Sequence, residues 1–253
     1  MDDITLHPLL VFGSTLGVLW VCAWVGAAQI RRRGALKESA REDFGLILAA
    51  TLTLLGLIIG FTFSMAISRY DLRKTYEEGE ANAIGTEYLR TDFLPPADAH
   101  LARHLLEQYT ALRIEFYVNH SHEERALIDA QTAEAQAALW SAIKAPASAQ
   151  PTPLMGLVAS GMNDVINSQG YSQAAAWNRI PKAAWILLIL ISAFCNLMVG
   201  YGARDLPARS VLLVVLPAVI SVSLFLIADI DSPRGGIIRV APQNLRSLAQ
   251  SFK

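Results

Sequence analysis

Four stretches of the chain carry almost no charge: residues 9–30, 44–68, 183–203 and 210–228. Each is roughly 19–25 residues long, enough to cross about 30 Å of hydrocarbon at 1.5 Å rise per residue. The pattern predicts four transmembrane helices. The first is not read as a cleaved leader. Met1-Asp2-Asp3 brings no basic residue ahead of the apolar run, and Arg31-Arg32-Arg33 follows it, the reverse of a signal peptide's order. Pro217, inside the fourth span, predicts a kink or a carbonyl released to a neighbour.

The polar stretch between the second and third spans reads as mostly helical. From Ser68 to about residue 94 there is no proline, so the second span is expected to continue outward as one long helix until Pro95-Pro96 stops it. A further helix begins at Ala97-Asp98, with Leu101, Leu105, Leu112 and Phe116 as its apolar stripe. Another is expected over 123–144. The proline-rich segment 145–153 reads as a linker, followed by a short helix over 154–168 and a turn at Gly170. Trp177 and Trp185 flank the third span as interfacial aromatics do. No β-rich segment and no internal repeat is visible. The fold class is therefore an all-α membrane protein: four transmembrane helices, with a helical extramembrane domain inserted between the second and third. Its parts are the first two spans (1–68), the helical domain (69–180), the last two spans (181–230) and a C-terminal tail (231–253).

Composition agrees. Of 253 residues, 53% are hydrophobic and only 17% charged, against roughly 25% charged in an ordinary soluble domain. This excludes a disordered, collagen-like or basic nucleic-acid-binding chain. The net charge of −1 hides an uneven distribution. Between Arg69 and Arg179 stand 9 basic and 14 acidic residues, while the remainder holds 12 and 8. The short loop after the first span carries Arg31, Arg32, Arg33, Lys37 and Arg41, and the loop between the last two spans adds Arg204 and Arg209. Basic residues in short loops mark the cytoplasmic side. On charge alone, then, the loops are cytoplasmic, and both termini and the helical domain lie outside. Cys22 and Cys195 fall in apolar runs and read as small packing residues.

Residues suited to chemistry are few. His100 and His104 share a helix face with Glu107, a spacing that can hold a metal; two solvated histidines on a polar face is the favoured reading. His120-Ser121-His122-Glu123-Glu124 reads as a polar helix junction rather than a cation site, and Asn119-His120-Ser121 as a chance glycosylation triplet. No phosphate-binding glycine loop or nucleophile elbow occurs. No charged residue sits inside a span, so intramembrane acid–base chemistry lacks its residues. Neither catalysis nor a metal or cofactor is expected.

The second span is more informative. At about 100° per residue, Thr53, Leu57, Gly60, Phe61, Ser64 and Ser68 fall within an arc of about 100°, and Asp71, Glu78 and Asn82 prolong the same stripe. One face thus runs from a hydroxyl through apolar side chains to small hydroxyls and then acids. A pore-lining helix needs such a face: an apolar constriction, small polar residues beyond it and charge at the mouth. Helix packing through small residues is the competing reading.

The exit of this span, Gly60-Phe61 followed eight residues later by Arg69-Tyr70, resembles a motif at the same place in bestrophin channels. The end of the fourth span, Asp229-Ile-Asp231-Ser-Pro233-Arg-Gly235, resembles the bestrophin acidic-Pro-aromatic-Gly turn. Together with Glu80-Ala81-Asn82-Ala83-Ile84-Gly85-Thr86 and the four-span layout, these make the chain similar to the bestrophin-like bacterial membrane protein family over nearly its full length. The resemblance implies a bacterial inner-membrane homopentamer. Its axial pore would be lined by five second spans, with a neck at Thr53, Leu57 and Phe61. It also implies a cytosolic helical domain, opposite to the charge distribution. Departures are a single aromatic, Tyr70, after Arg69, a threonine at the upper neck level, and the lack of the acidic run that holds calcium in eukaryotic bestrophins.

Two functions follow from different classes. One is an oligomeric ion channel leaning to monovalent cations, with Gly60, Ser64 and Ser68 lining the pore and Asp71 and Glu78 at its mouth. The alternative is a non-conducting membrane protein whose helical domain binds a partner or senses envelope stress. In both, the bilayer and other copies of the chain are its partners; permeant ions belong to the first, and nucleic acid to neither.

Overall fold

The computed structural model describes residues 8–33, 38–119, 122–203, 211–233 and 235–252. Every regular element among them is helical. The chain divides into two compact units: residues 1–68 with 179–238, and residues 69–178 with 239–253. Asp2, Asp3, Lys37, His120, Ser121, Arg204 and Arg209, which entered the charge and motif readings, lie outside the described residues.

The first unit holds the four spans. α1 (Pro8–Arg33), α6 (Lys182–Gly202) and α7 (Leu212–Asp231) pack together with the membrane part of α2 (Glu38–Arg90). All four spans are long and apolar enough to cross a bilayer. α1 meets α6 through small residues. A Cβ on Gly26 would strike the Leu197 carbonyl, and one on Gly200 would strike the Ala23 carbonyl. Lipid tails give apolar helices no net gain on pairing, so this close backbone approach supplies the packing. Phe12 and Phe225 meet edge-on at 6.3 Å, joining α1 to α7, and Phe44 and Tyr201 join α2 to α6 at 5.8 Å. Both cysteines are free, with Cys195 buried.

The acidic-Pro-Gly turn that closes α7 holds itself together. Asp229 accepts hydrogen bonds from the amides of Ile237 (2.7 Å) and Ile238 (2.8 Å), and Asp231 accepts from the Ile180 amide at 3.1 Å. Gly236 passes so close that a Cβ would press on Asp229. Two carboxylates at the end of an apolar helix thus satisfy backbone donors, Asp229 those that follow the turn and Asp231 one that precedes α6.

The second unit contains the outer part of α2, then α3 (Pro96–Val118), α4 (His122–Ala149), α5 (Pro153–Trp177) and α8 (Gln243–Ser251). A single helix does continue outward from the second span: α2 has 53 residues and is about 80 Å long. It ends in a 3₁₀ turn, Thr91–Phe93, before the two prolines. Two expectations need correction. The segment 145–149 is not a linker but the last turn of α4, which tolerates Pro146 inside it; the break comes only where Pro151 and Pro153 prevent continuation. Gly170 is no turn either. α5 runs through it to Trp177, because a lone glycine weakens a helix by only about 1 kcal/mol and packing on the core outweighs that. Helix α8 carries no signal in the sequence reading. Its core anchor is Leu245, buried with Ile84, Leu106, Tyr109, Leu139, Met162 and Val165.

Candidate pore helix

α2 presents two opposite faces. In the membrane part, Leu55, Thr62 and Ala66 are buried. Their positions lie about 180–220° around the helix from Thr53. Farther out, Arg73, Glu77, Glu80, Ile84 and Glu87 are buried on the corresponding arc. The stripe singled out from the sequence is the other face. Thr53, Leu57, Gly60, Phe61, Ser64, Ser68, Asp71, Glu78 and Asn82 are all exposed in the single chain, Leu57 at 52% and Phe61 at 65%. Only 6% of the most apolar stretch of α2 is buried, against 50% for α7. The second span therefore uses little of its surface within its own chain. The Thr53 hydroxyl donates to the Ala49 carbonyl at 2.9 Å, so it costs the helix no unsatisfied donor. A Cβ on Gly60 would meet nothing, which gives this glycine no packing role inside the chain.

The inward stripe of the outer α2 is built from charge, and the sequence reading missed it. Glu80 and Arg113 of α3 form an ion pair with neither side chain exposed. The Ser172 hydroxyl of α5 donates to Glu80 at 2.9 Å, and the Arg113 guanidinium stacks 4.2 Å from the Phe116 ring. Burial works to lower the Arg113 pKa, and the carboxylate beside it more than reverses that, leaving it raised. Burial, then Glu80's charge, push the Tyr109 hydroxyl up. Glu77 caps α8: one oxygen accepts from the Leu245 amide at 3.0 Å and the other from the Asn244 side chain at 2.7 Å. Pro242, at the N-cap, offers no side-chain acceptor, so a carboxylate from another helix supplies it. A signal for this stripe existed. Arg73, Glu77, Glu80, Ile84 and Glu87 recur at the same helical period as the outer stripe and half a turn away from it.

His100 and His104 are exposed, and the His104 ring meets Gln108 at 3.0 Å on its own helix. Among the described residues no cluster of three or more metal-ligating side chains occurs.

Four spans, a long second helix with an unused outer face and a helical insertion on its extension define a multi-pass membrane protein of the bestrophin type. The chain belongs to the Bestrophin-like domain family, whose pattern it matches over residues 15–245. Its fold is similar to that in a crystal structure of a tryptophan-to-alanine variant of a bacterial bestrophin homologue from Klebsiella pneumoniae. The TM-score is 0.64 at 13% identity, covering 95% of this chain and 93% of that one. No curated protein matches the sequence.

Proposed function

We propose that the protein is a homo-oligomeric ion channel, a pentamer by its family resemblance, in which second spans from several copies line one axial pore. The observation that carries this reading is the exposed face of α2. In the membrane part it sets Leu57 and Phe61 one helical turn apart, about 6 Å along the axis, with Gly60 between them, Thr53 on one side and Ser64 and Ser68 on the other. A lone span in lipid has no use for hydroxyls on its most exposed face. In a ring, the two apolar side chains form stacked collars that resist wetting, and the small hydroxyl residues keep the path beyond them polar.

Monovalent cations are the favoured ions. Asp71 and Glu78 prolong the pore-facing stripe and are exposed, and five copies of the inserted domain would carry a formal charge of about −25 with every acid ionised. Rings of like charge at a mouth concentrate counter-ions. Recording the purified protein in bilayers under a salt gradient tests both parts. Currents reversing toward the cation potential agree with the reading; a reversal toward the anion potential overturns the role given to the mouth acids. Intact rings that pass no current overturn the channel and favour a partner-binding domain. Which side the domain faces is open to a direct test. The basic short loops favour an external domain, and the bestrophin resemblance an internal one.

A further inference from the structure

Glu87 lies on α2 about 28 Å beyond Ser68, well outside the span. Its side chain is fully buried, and neither oxygen has a hydrogen-bond partner. Facing it across the helix pair is Gly161 of α5, which approaches so closely that a Cβ there would strike both the Glu87 carboxyl and the Arg90 guanidinium. Ile84, Val158, Met162 and Val165, all essentially inaccessible, belong to the same apolar core. Two charged groups act on Glu87. Arg90 on its own helix stands 3.8 Å away and is partly exposed, too far for a hydrogen bond; Asp164 on α5 adds a like charge. Asp92, on the turn that follows, is engaged by Arg103 of α3.

An ionised carboxylate without donors in such a place is far more costly than a neutral acid. Burial is the largest influence and raises the Glu87 pKa to about 8; Arg90 works to lower it, and Asp164 to raise it. The other buried acids of this stripe are answered differently: Glu80 by Arg113, and Glu77 by the start of α8. Glu87 alone among these three is left without a hydrogen-bond donor, its one cation being the partly exposed Arg90 at 3.8 Å.

We propose that Glu87 is a proton-operated latch between α2 and α5: neutral, it lets α5 lie directly on α2 at Gly161, and ionised in alkaline solution it loosens that contact. The added charge draws the carboxyl toward Arg90 and water, and the tight crossing at Gly161 leaves no room for that movement while α5 stays seated. The sign follows from linkage. A carboxyl whose folded pKa lies above its unfolded value favours the fold most below about pH 4.5. That advantage is lost progressively as pH rises from there to about 8, and no further loss follows above it. The site lies wholly within the helical domain, and the inference does not depend on whether the protein conducts.

Hydrogen exchange of the full-length protein in lipid nanodiscs, measured between pH 6 and pH 9.5 and corrected for intrinsic rates, reads the latch directly. Protection of the α5 stretch around residues 155–168 should fall, by up to about tenfold per pH unit, between pH 6 and about 8 and level off above that. In Glu87→Gln, which keeps the shape and removes the charge, protection should stay level across the same range. Unchanged protection in the parent chain, or an equal fall in Glu87→Gln, would overturn the proposal. Should that variant fail to fold, infrared titration of the parent chain decides alone. A carboxylic acid C=O band that persists at pH 7 and disappears near pH 8 supports the latch, and no such band at pH 7 overturns it.

Discussion

Leu57 and Phe61 decide what the outer face of α2 is for, because two readings of them predict different failures. As pore collars they hold back water, so Leu57→Ala or Phe61→Ala should raise conductance or open probability in bilayers. Thr53→Ala, which removes no apolar collar, should change it less. As packing residues between spans they would cost about 2–5 kcal/mol each on truncation and weaken the assembly instead. Recording currents and checking ring integrity on the same preparations separates these outcomes. The buried Glu80–Arg113 pair allows a second test at this scale. Arg113→Ala leaves the buried Glu80 carboxylate with hydroxyl donors but no cation and should lower stability by about 3–5 kcal/mol, read as a lower thermal midpoint in detergent. The double change Glu80→Gln with Arg113→Met removes both charges and should cost less than the single one. A double variant less stable than Arg113→Ala would mean that the pair itself stabilises the fold.

Among the elements, the four spans and the outward continuation of α2 were legible because each rests on a long run of one kind of residue: uncharged stretches for the spans, and a proline-free segment closed by Pro95-Pro96 for α2. The exposed stripe was legible for the same reason, since helical period alone places Thr53, Leu57, Phe61 and Ser64 together. What stayed hidden depends on tertiary partners. Helix α8 is nine residues long and begins at a proline without a capping side chain; its cap is Glu77, 168 positions away from Leu245 in the chain. Glu77→Ala should therefore cost about 1 kcal/mol and speed hydrogen exchange in residues 243–251 while leaving α3 unchanged. Pro146 and Gly170 misled because both suggest a break, yet α4 and α5 draw their stability from packing rather than propensity. In the membrane, the Gly26 and Gly200 contacts predict that Gly200→Val separates α1 from α6, seen as loss of the detergent-stable assembly.

For the whole molecule, an axial pore requires several copies around one axis, and native mass spectrometry in mild detergent should find a ring, five chains by the family resemblance; a monomer would count against it. A cysteine-free background (Cys22→Ala with Cys195→Ala) carrying Ser141→Cys settles sidedness. Labelling by an impermeant maleimide on intact cells places the helical domain outside, as the basic loops favour, and labelling only after the cells are opened places it inside. The same background gives the most direct test of the central claim, that the exposed face of α2 lines a conducting path. A charged thiol reagent should alter the current through Thr53→Cys and Ser64→Cys channels, both on the exposed face. It should leave Thr62→Cys and Ala66→Cys channels unaffected, because those positions face the protein. Modification at Thr62 and Ala66 with none at Thr53 and Ser64, or currents indifferent to all four, would contradict the account.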